Sequence, residues 1–152
     1  MKKYGKYGKF LVMIGVSTVI MFCMMYFNVY ALDHIFFSQT RLFMALMMGA
    51  MMAIIMLLFM WKMYDNKKMN IGILVVSVVL FFGSLFMVRS QTAVGDTAWM
   101  KAMIPHHSIA ILTSKNADLS DPRVKELAEK IIDAQEKEIK EMKELIEELE
   151  NK

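Results

Sequence analysis

Two methionines and two histidines fall within eight residues of one another, in the run Trp99-Met100-Lys101-Ala102-Met103-Ile104-Pro105-His106-His107. On a helix, Met100, Met103 and His107 stand at i, i+3 and i+7 and share a face, with His106 on its flank. Thioether and imidazole donors in one place suit a soft transition-metal ion, Cu(I) above all, with Cu(II) or another transition metal also within reach. A thioether needs no deprotonation and forms no disulfide, so such a site works in an oxidising compartment.

A second stretch supplies the other wall. Val124, Leu127, Ile131, Gln135, Glu138, Met142, Leu145 and Leu149 recur in alternating three- and four-residue steps, the spacing of one helix face. Gln135 and Glu138 interrupt that seam with polar groups, which need a partner if buried. A turn near Leu119 folds this helix back on the first. On that register His107 meets Ile131 and Ile132, Met103 meets Gln135 and Glu136, and Met100 meets Glu138 and Ile139, with Met142 a turn beyond. The candidate ligands are therefore Met100, Met103, His106, His107, Gln135, Glu138 and Met142. Adjacent histidines point about 100° apart, so one helix aims them at a single ion with difficulty. One of the pair is then left for a partner chain or a second ion.

Signals at the helix ends support the hairpin. Asp96 reads as the N-cap of a helix to about Lys115. Asp121 caps a second helix, with Pro122 at its first position, where a missing N–H costs nothing. That helix runs to about Glu150, with oppositely charged pairs such as Glu136 and Lys140 at i, i+4. Pro105 lies inside the first pattern, where it removes a hydrogen bond to the Lys101 carbonyl. The pattern predicts one continuous helix through it, kinked beside the histidine pair; the alternative is a helix starting at Pro105, with Trp99 to Ile104 a separate turn. A hairpin of this size buries too little surface to be stable alone. It is expected to pair with another copy into a four-helix bundle.

Before residue 89 the chain is of another kind. Hydrophobic residues make up 57% of the 152 and concentrate there. Apolar runs over about 10–30, 42–61 and 71–88 are each long enough to cross a hydrocarbon core. In hydrocarbon these must be helices, because three spans cannot close a barrel. The basic start and the first run resemble a signal peptide, but the run exceeds the usual length and reads as a retained span. Lys2, Lys3, Lys6 and Lys9 precede the first span, and Lys62, Lys67 and Lys68 lie between the second and third. Positive residues stay inside. The N-terminus is thus expected in the cytoplasm and everything after Val88 outside it.

The fold class expected is all-α, with 1–89 a three-span membrane domain and 90–152 an extracytoplasmic hairpin. The net charge of +3 balances a basic membrane half against an acidic tail and indicates no nucleic-acid partner. The lone Cys23 excludes a disulfide within the chain and a cysteine-rich zinc site. Ala45, Gly49 and Ala53 would let helices approach closely. Met44, Met48, Met52, Met56 and Met60 form a stripe on the second span that reads as packing or lipid-facing filler. His34, between the first two spans, reads as a polar loop residue.

Met100, Met103-Ile104-Pro105-His106-His107, Ile109-Ala110, Leu127-Ala128, Ile131-Ile132, Gln135, Glu138-Ile139 and Met142 together resemble the bacterial family called domain of unknown function 305, which includes CopM-like copper-binding proteins. The resemblance covers residues 96 to about 147. It implies a ferritin-like helical bundle, a copper ion, and Met103, His106, His107 and Met142 as ligands, with Gln135 and Glu138 close by. Met100 matches less strictly. Longer members carry more helices, which makes self-association here more necessary.

The function expected is copper binding at the outer face of a bacterial inner membrane, for homeostasis or resistance, by a homo-oligomer with lipid around its spans. The alternative is an oligomeric membrane scaffold whose histidines are structural. An enzyme is not expected. Di-iron bundles use Glu-x-x-His pairs that this chain lacks, and no nucleophile–histidine–carboxylate set or phosphate-binding loop is evident.

Overall fold

The computed structural model describes residues 3–151; Lys2, part of the basic N-terminal segment, lies outside them. The described chain is helical, in the order α1 (Lys3–Met24), a 3-10 turn (Leu32–His34), α2 (Gln39–Phe59), a 3-10 turn (Trp61–Met63), α3 (Lys67–Ser90), α4 (Asp96–Asn116) and α5 (Pro122–Glu150). It divides into two compact units. The first takes in residues up to Cys23 with Thr40–Ala93, and the second Met24–Gln39 with Val94 onward.

In the first unit, α1, α2 and α3 are each long and apolar enough to cross a membrane. In α1 the stretch long and apolar enough to cross a membrane is Gly5–Met24, whereas the apolar run read from the sequence is 10–30. Apolarity continues past Met24, but the backbone turns there, with the Phe27 N–H donating to the Met24 carbonyl at 3.1 Å. Beyond it, side-chain hydroxyls take the place of helical acceptors for some backbone amides. The Ser38 N–H donates to Tyr26 Oη, and the Tyr30 N–H to Ser108 Oγ. At the other end of the unit, α3 starts four residues before its apolar run, because Asn66 caps it by accepting from the Lys68 and Met69 amides. Gln91 closes α3 in the left-handed conformation, φ 53°, its N–H donating to the Met87 carbonyl.

Tyr7, Phe10, Ala53, Leu57 and Tyr64 form the core of this unit, with Met56 and Met60 packed against it. Tyr7 Oη donates to Asn70 Oδ1 at 2.7 Å, and Asn70 Nδ2 donates to the Tyr64 carbonyl, so the buried polar groups satisfy one another. Ala45, Gly49 and Ala53 are all buried on α2. A Cβ on Gly49 would overlap Thr18 Oγ1, which donates to the Ile14 carbonyl. Gly49→Ala is therefore expected to destabilise the packing of α1 on α2 by about 1–3 kcal/mol. Thr18→Ala in the same chain should recover most of that loss, as read by thermal unfolding in detergent; an unaffected single variant would show that the helices are not so close.

The second unit is built on the α4–α5 hairpin. Met100, Ile104 and Ile111 of α4 pack against Ile139, Met142 and Ile146 of α5, with Phe36, Met103 and Ile132 around them. Pro105 sits within a continuous α4, as expected. Asp121 caps α5, accepting from the Arg123 N–H at 2.8 Å. The cap of α4 is Gly95, not Asp96, which instead places its carboxylate in the first turn, where the helix dipole favours it.

Two expectations for the hairpin are corrected. The register is displaced along α5 by about two to three turns. His107 meets Glu138 rather than Ile131 and Ile132, Lys115 meets Glu136, and Lys101 meets Glu150. The connection leaves α4 in an extended conformation at Ala117, φ −70°, ψ 130°, so the first turns of α5 run past the end of α4. The packed face of α5 also differs from the expected seam. α5 carries two neighbouring apolar stripes; the one with Ile139, Met142 and Ile146 meets α4, while Val124, Leu127, Ile131, Leu145 and Leu149 remain exposed.

Candidate metal centre

The shifted register brings His107 and Glu138 together at the middle of the hairpin. His107 Nδ1 lies 2.9 Å from the carbonyl oxygen of Met103, one turn earlier on α4. A carbonyl only accepts, so Nδ1 carries a proton and donates. Nε2 then stands 2.7 Å from Glu138 Oε2. At this distance the contact is a hydrogen bond; a metal ion, at about 2.0–2.2 Å from each donor, would have to part the two atoms and sit beside them. Gln135 Nε2 donates to the same carboxylate oxygen at 3.4 Å. The His107 side chain is 16% exposed and that of Glu138 51%, so the pair sits at the rim of the packed face, open on one side.

The other candidates separate by chemistry. Met100 and Met142 lie in the apolar core, 5% and 7% exposed, and Met103 packs against that core while offering its carbonyl to His107. His106 is exposed on the flank, its ring centroid 6.2 Å from that of His107 and inclined to it by 67°. The structure thus joins His107, Glu138 and Gln135 directly, and joins Met103 through its backbone. Among the described residues no three or more His, Cys, Asp or Glu side chains converge at one place.

A neighbouring network was not legible as such in the sequence. Ser108, directly after the histidine pair, is fully buried. Its Oγ accepts from the Tyr30 N–H at 2.7 Å and lies 3.0 Å from His34 Nδ1, to which its hydroxyl proton is free to point. Asp33 pairs with Lys143 at 2.6 Å, and Lys115 Nζ donates to both Tyr30 Oη and Glu136. Segment 24–39 is thereby fastened to both helices of the hairpin. The signal available was a cluster of polar residues, Tyr30, Asp33 and His34, at the end of an apolar run, and a serine at an interior position of α4.

Burial holds the His34 imidazole below its ordinary pKa, helped by Lys143 and opposed by Asp33 and Glu136. The lysine hydrogen bond from Lys143 holds the Asp33 carboxyl below its ordinary range. The folded unit thus favours neutral His34. Its contribution is complete above the ordinary imidazole value of 6.5 and is lost as pH falls through the depressed one. Amide exchange in 24–39 is therefore expected to quicken as pH drops below 6.5, after correction for intrinsic rates. His34→Asn, which keeps an acceptor without titrating, should flatten that response; the same acceleration in the variant would place the titration elsewhere.

No solved structure matches the chain. A protein of Acanthamoeba polyphaga mimivirus named Uncharacterized protein L153 is 36% identical over 97 residues. That alignment covers 59% of this chain and 64% of the relative, so the chain spans less than two thirds of that relative's length. What the chain shares with a known family is the segment that holds the histidine pair, Ser108 and Glu138: residues 87–147 match the family described as Domain of unknown function (DUF305).

Proposed function

We propose that this is a membrane-anchored metal-binding protein that holds a copper ion at the outer hairpin. The observation that carries the reading is the His107–Glu138 contact, in which a ring nitrogen is fixed by its partner Nδ1 bond and aimed at a carboxylate 2.7 Å away. A ligating histidine with its second nitrogen anchored to a backbone carbonyl is the arrangement metal sites use to fix tautomer and ring direction. His107 and Glu138 would hold the ion, with His106 and Met103 able to add imidazole and thioether donors, and Gln135 orienting the carboxylate. Nitrogen and oxygen donors beside one sulfur tilt the preference from Cu(I) toward Cu(II). Met100 and Met142 support the site as packing.

The lysine distribution places the N-terminus and the α2–α3 turn in the cytoplasm and the hairpin outside. Copper would then be sequestered or passed on at the outer surface. Elemental analysis of the full chain in detergent, after equilibration with equimolar copper and desalting, tests the reading. Stoichiometric retained copper is expected; a metal-free protein would overturn it.

A structural reading has its own support, because the same two hydrogen bonds hold His107 between α4 and α5 without any metal. It predicts equal helix stability with and without chelator, whereas the copper reading predicts stabilisation by the ion.

A further inference from the structure

Apart from Val124 at its start, the exposed stripe of α5 is symmetrical about Glu138. Ile131 and Leu145 stand seven residues to either side of it, and Leu127 and Leu149 eleven. These offsets are about two and three whole turns, so all five residues lie along one line of the helix. The four apolar members are 36–56% exposed, and none of them belongs to the core formed with α4. A line of side chains that reads the same in both directions is self-complementary under a two-fold axis.

Charge along the edge of the stripe distinguishes the two ways of pairing. Lys130 and Lys137 precede Glu138 on this edge, while Glu141 and Glu148 follow it. Antiparallel pairing about Glu138 sets Lys130 beside Glu148 of the other copy and Lys137 beside Glu141. Parallel pairing turns this edge toward the opposite edge of the other α5, the one that Ile139, Met142 and Ile146 bury against α4, and makes neither ion pair. We propose that a second copy of this chain packs its α5 antiparallel across the stripe, with the two-fold axis at Glu138.

The pairing covers what the hairpin leaves bare. The turns of α5 that run past α4 are met by the C-terminal half of the other α5. Leu127 of one copy falls beside Leu149 of the next, at a cavity of about 580 Å³ lined in part by Trp99, Leu145 and Leu149. The axis also brings two His107–Glu138 pairs together. One chain gathers no cluster of three titratable ligands among the described residues, but two chains supply four such groups at one place. Two carboxylates at an axis repel unless a proton or a metal ion lies between them, so a metal ion held there would be shared. As a metal centre this rests on the function proposed above; the pairing itself does not.

The test uses the full chain in detergent with Cys23→Ser as background. Ile131→Cys and Leu145→Cys chains, carrying different tags, are co-expressed and treated with diamide in metal-free buffer. The mixed pair is expected to cross-link, and each variant alone is not. Glu138→Cys alone is expected to link to itself, and Leu127→Cys with Leu149→Cys repeats the test farther from the axis. Self-linking of Ile131→Cys in preference to the mixed pair, or no mixed product at either distance, overturns the pairing. Copper bound by the parent at one ion per two chains is expected; one ion per chain overturns the shared centre. Mixed cross-links without any copper binding would remove the proposed function and leave the pairing. Copper binding without mixed cross-links would do the reverse.

Discussion

Replacing His106 and His107 together by alanine is expected to lower copper affinity of the full chain by at least 100-fold, which at equimolar concentrations reads as loss of the bound ion. The size follows from geometry. His107 brings the only ring nitrogen that the hairpin holds against a carboxylate, and His106 is the imidazole beside it. Glu138→Gln keeps shape and hydrogen bonding but removes the charge, and should cost about 10–100-fold. Met142→Leu conserves volume in the core and should leave affinity within a few-fold. Isothermal titration in detergent, with a competing chelator to bring affinities into range, separates the three. Unaltered binding in the double histidine variant would move the site elsewhere, and a large loss in Met142→Leu would restore a thioether-dominated centre.

Ile111→Ala should destabilise the second unit by about 2–5 kcal/mol. Ile111 is fully buried and reaches the α5 core near Ile139, so truncation leaves a cavity lined by apolar neighbours with little room to collapse. Against a typical stability of about 5–15 kcal/mol, that is a large share. Amide hydrogen exchange of α4 and α5 is the appropriate measurement, because helical signal from α1–α3 would mask it in bulk spectroscopy. Protection factors there should fall together, by about 30-fold or more for a loss of 2 kcal/mol. Lys140→Ala, at an exposed ion pair with Glu144, serves as the comparison and should change exchange little.

How much of this was readable beforehand varied by element, for physical reasons. α5 was read to its end residues, because Asp121, Pro122 and the charge alternation are local signals. The continuity of α4 through Pro105 was read correctly as well, since the helix pattern persists on both sides of the ring. The start of α3 was missed because Asn66, a capping residue, lies among lysines that look like loop. The hairpin register was missed because it depends on an extended connection whose length in space no residue type announces. The seam of α5 was assigned one apolar stripe where two lie side by side, and Met142 belongs to the packed one. For the candidate site, the pairing of the histidine region with Glu138 was within the named set, though the expected opposite residues were wrong. Thioethers are both ligands and core filler, so sequence alone could not tell that Met100 and Met142 lie in the core and Met103 at its edge. Contacts between 24–39 and the hairpin join residues 74 to 110 positions apart, which neither periodicity nor capping encodes.

The fastening of 24–39 to the hairpin sets a rule for anyone cutting the protein down to a water-soluble fragment. Excision near residue 90 would look natural from hydropathy, yet it strips away a strap that crosses both helices and leaves the Ser108 hydroxyl and the Lys143 ammonium without their acceptors and donors from that strap. A faithful fragment is a chimera, with residues 24–39 grafted through a flexible tether ahead of 94–151.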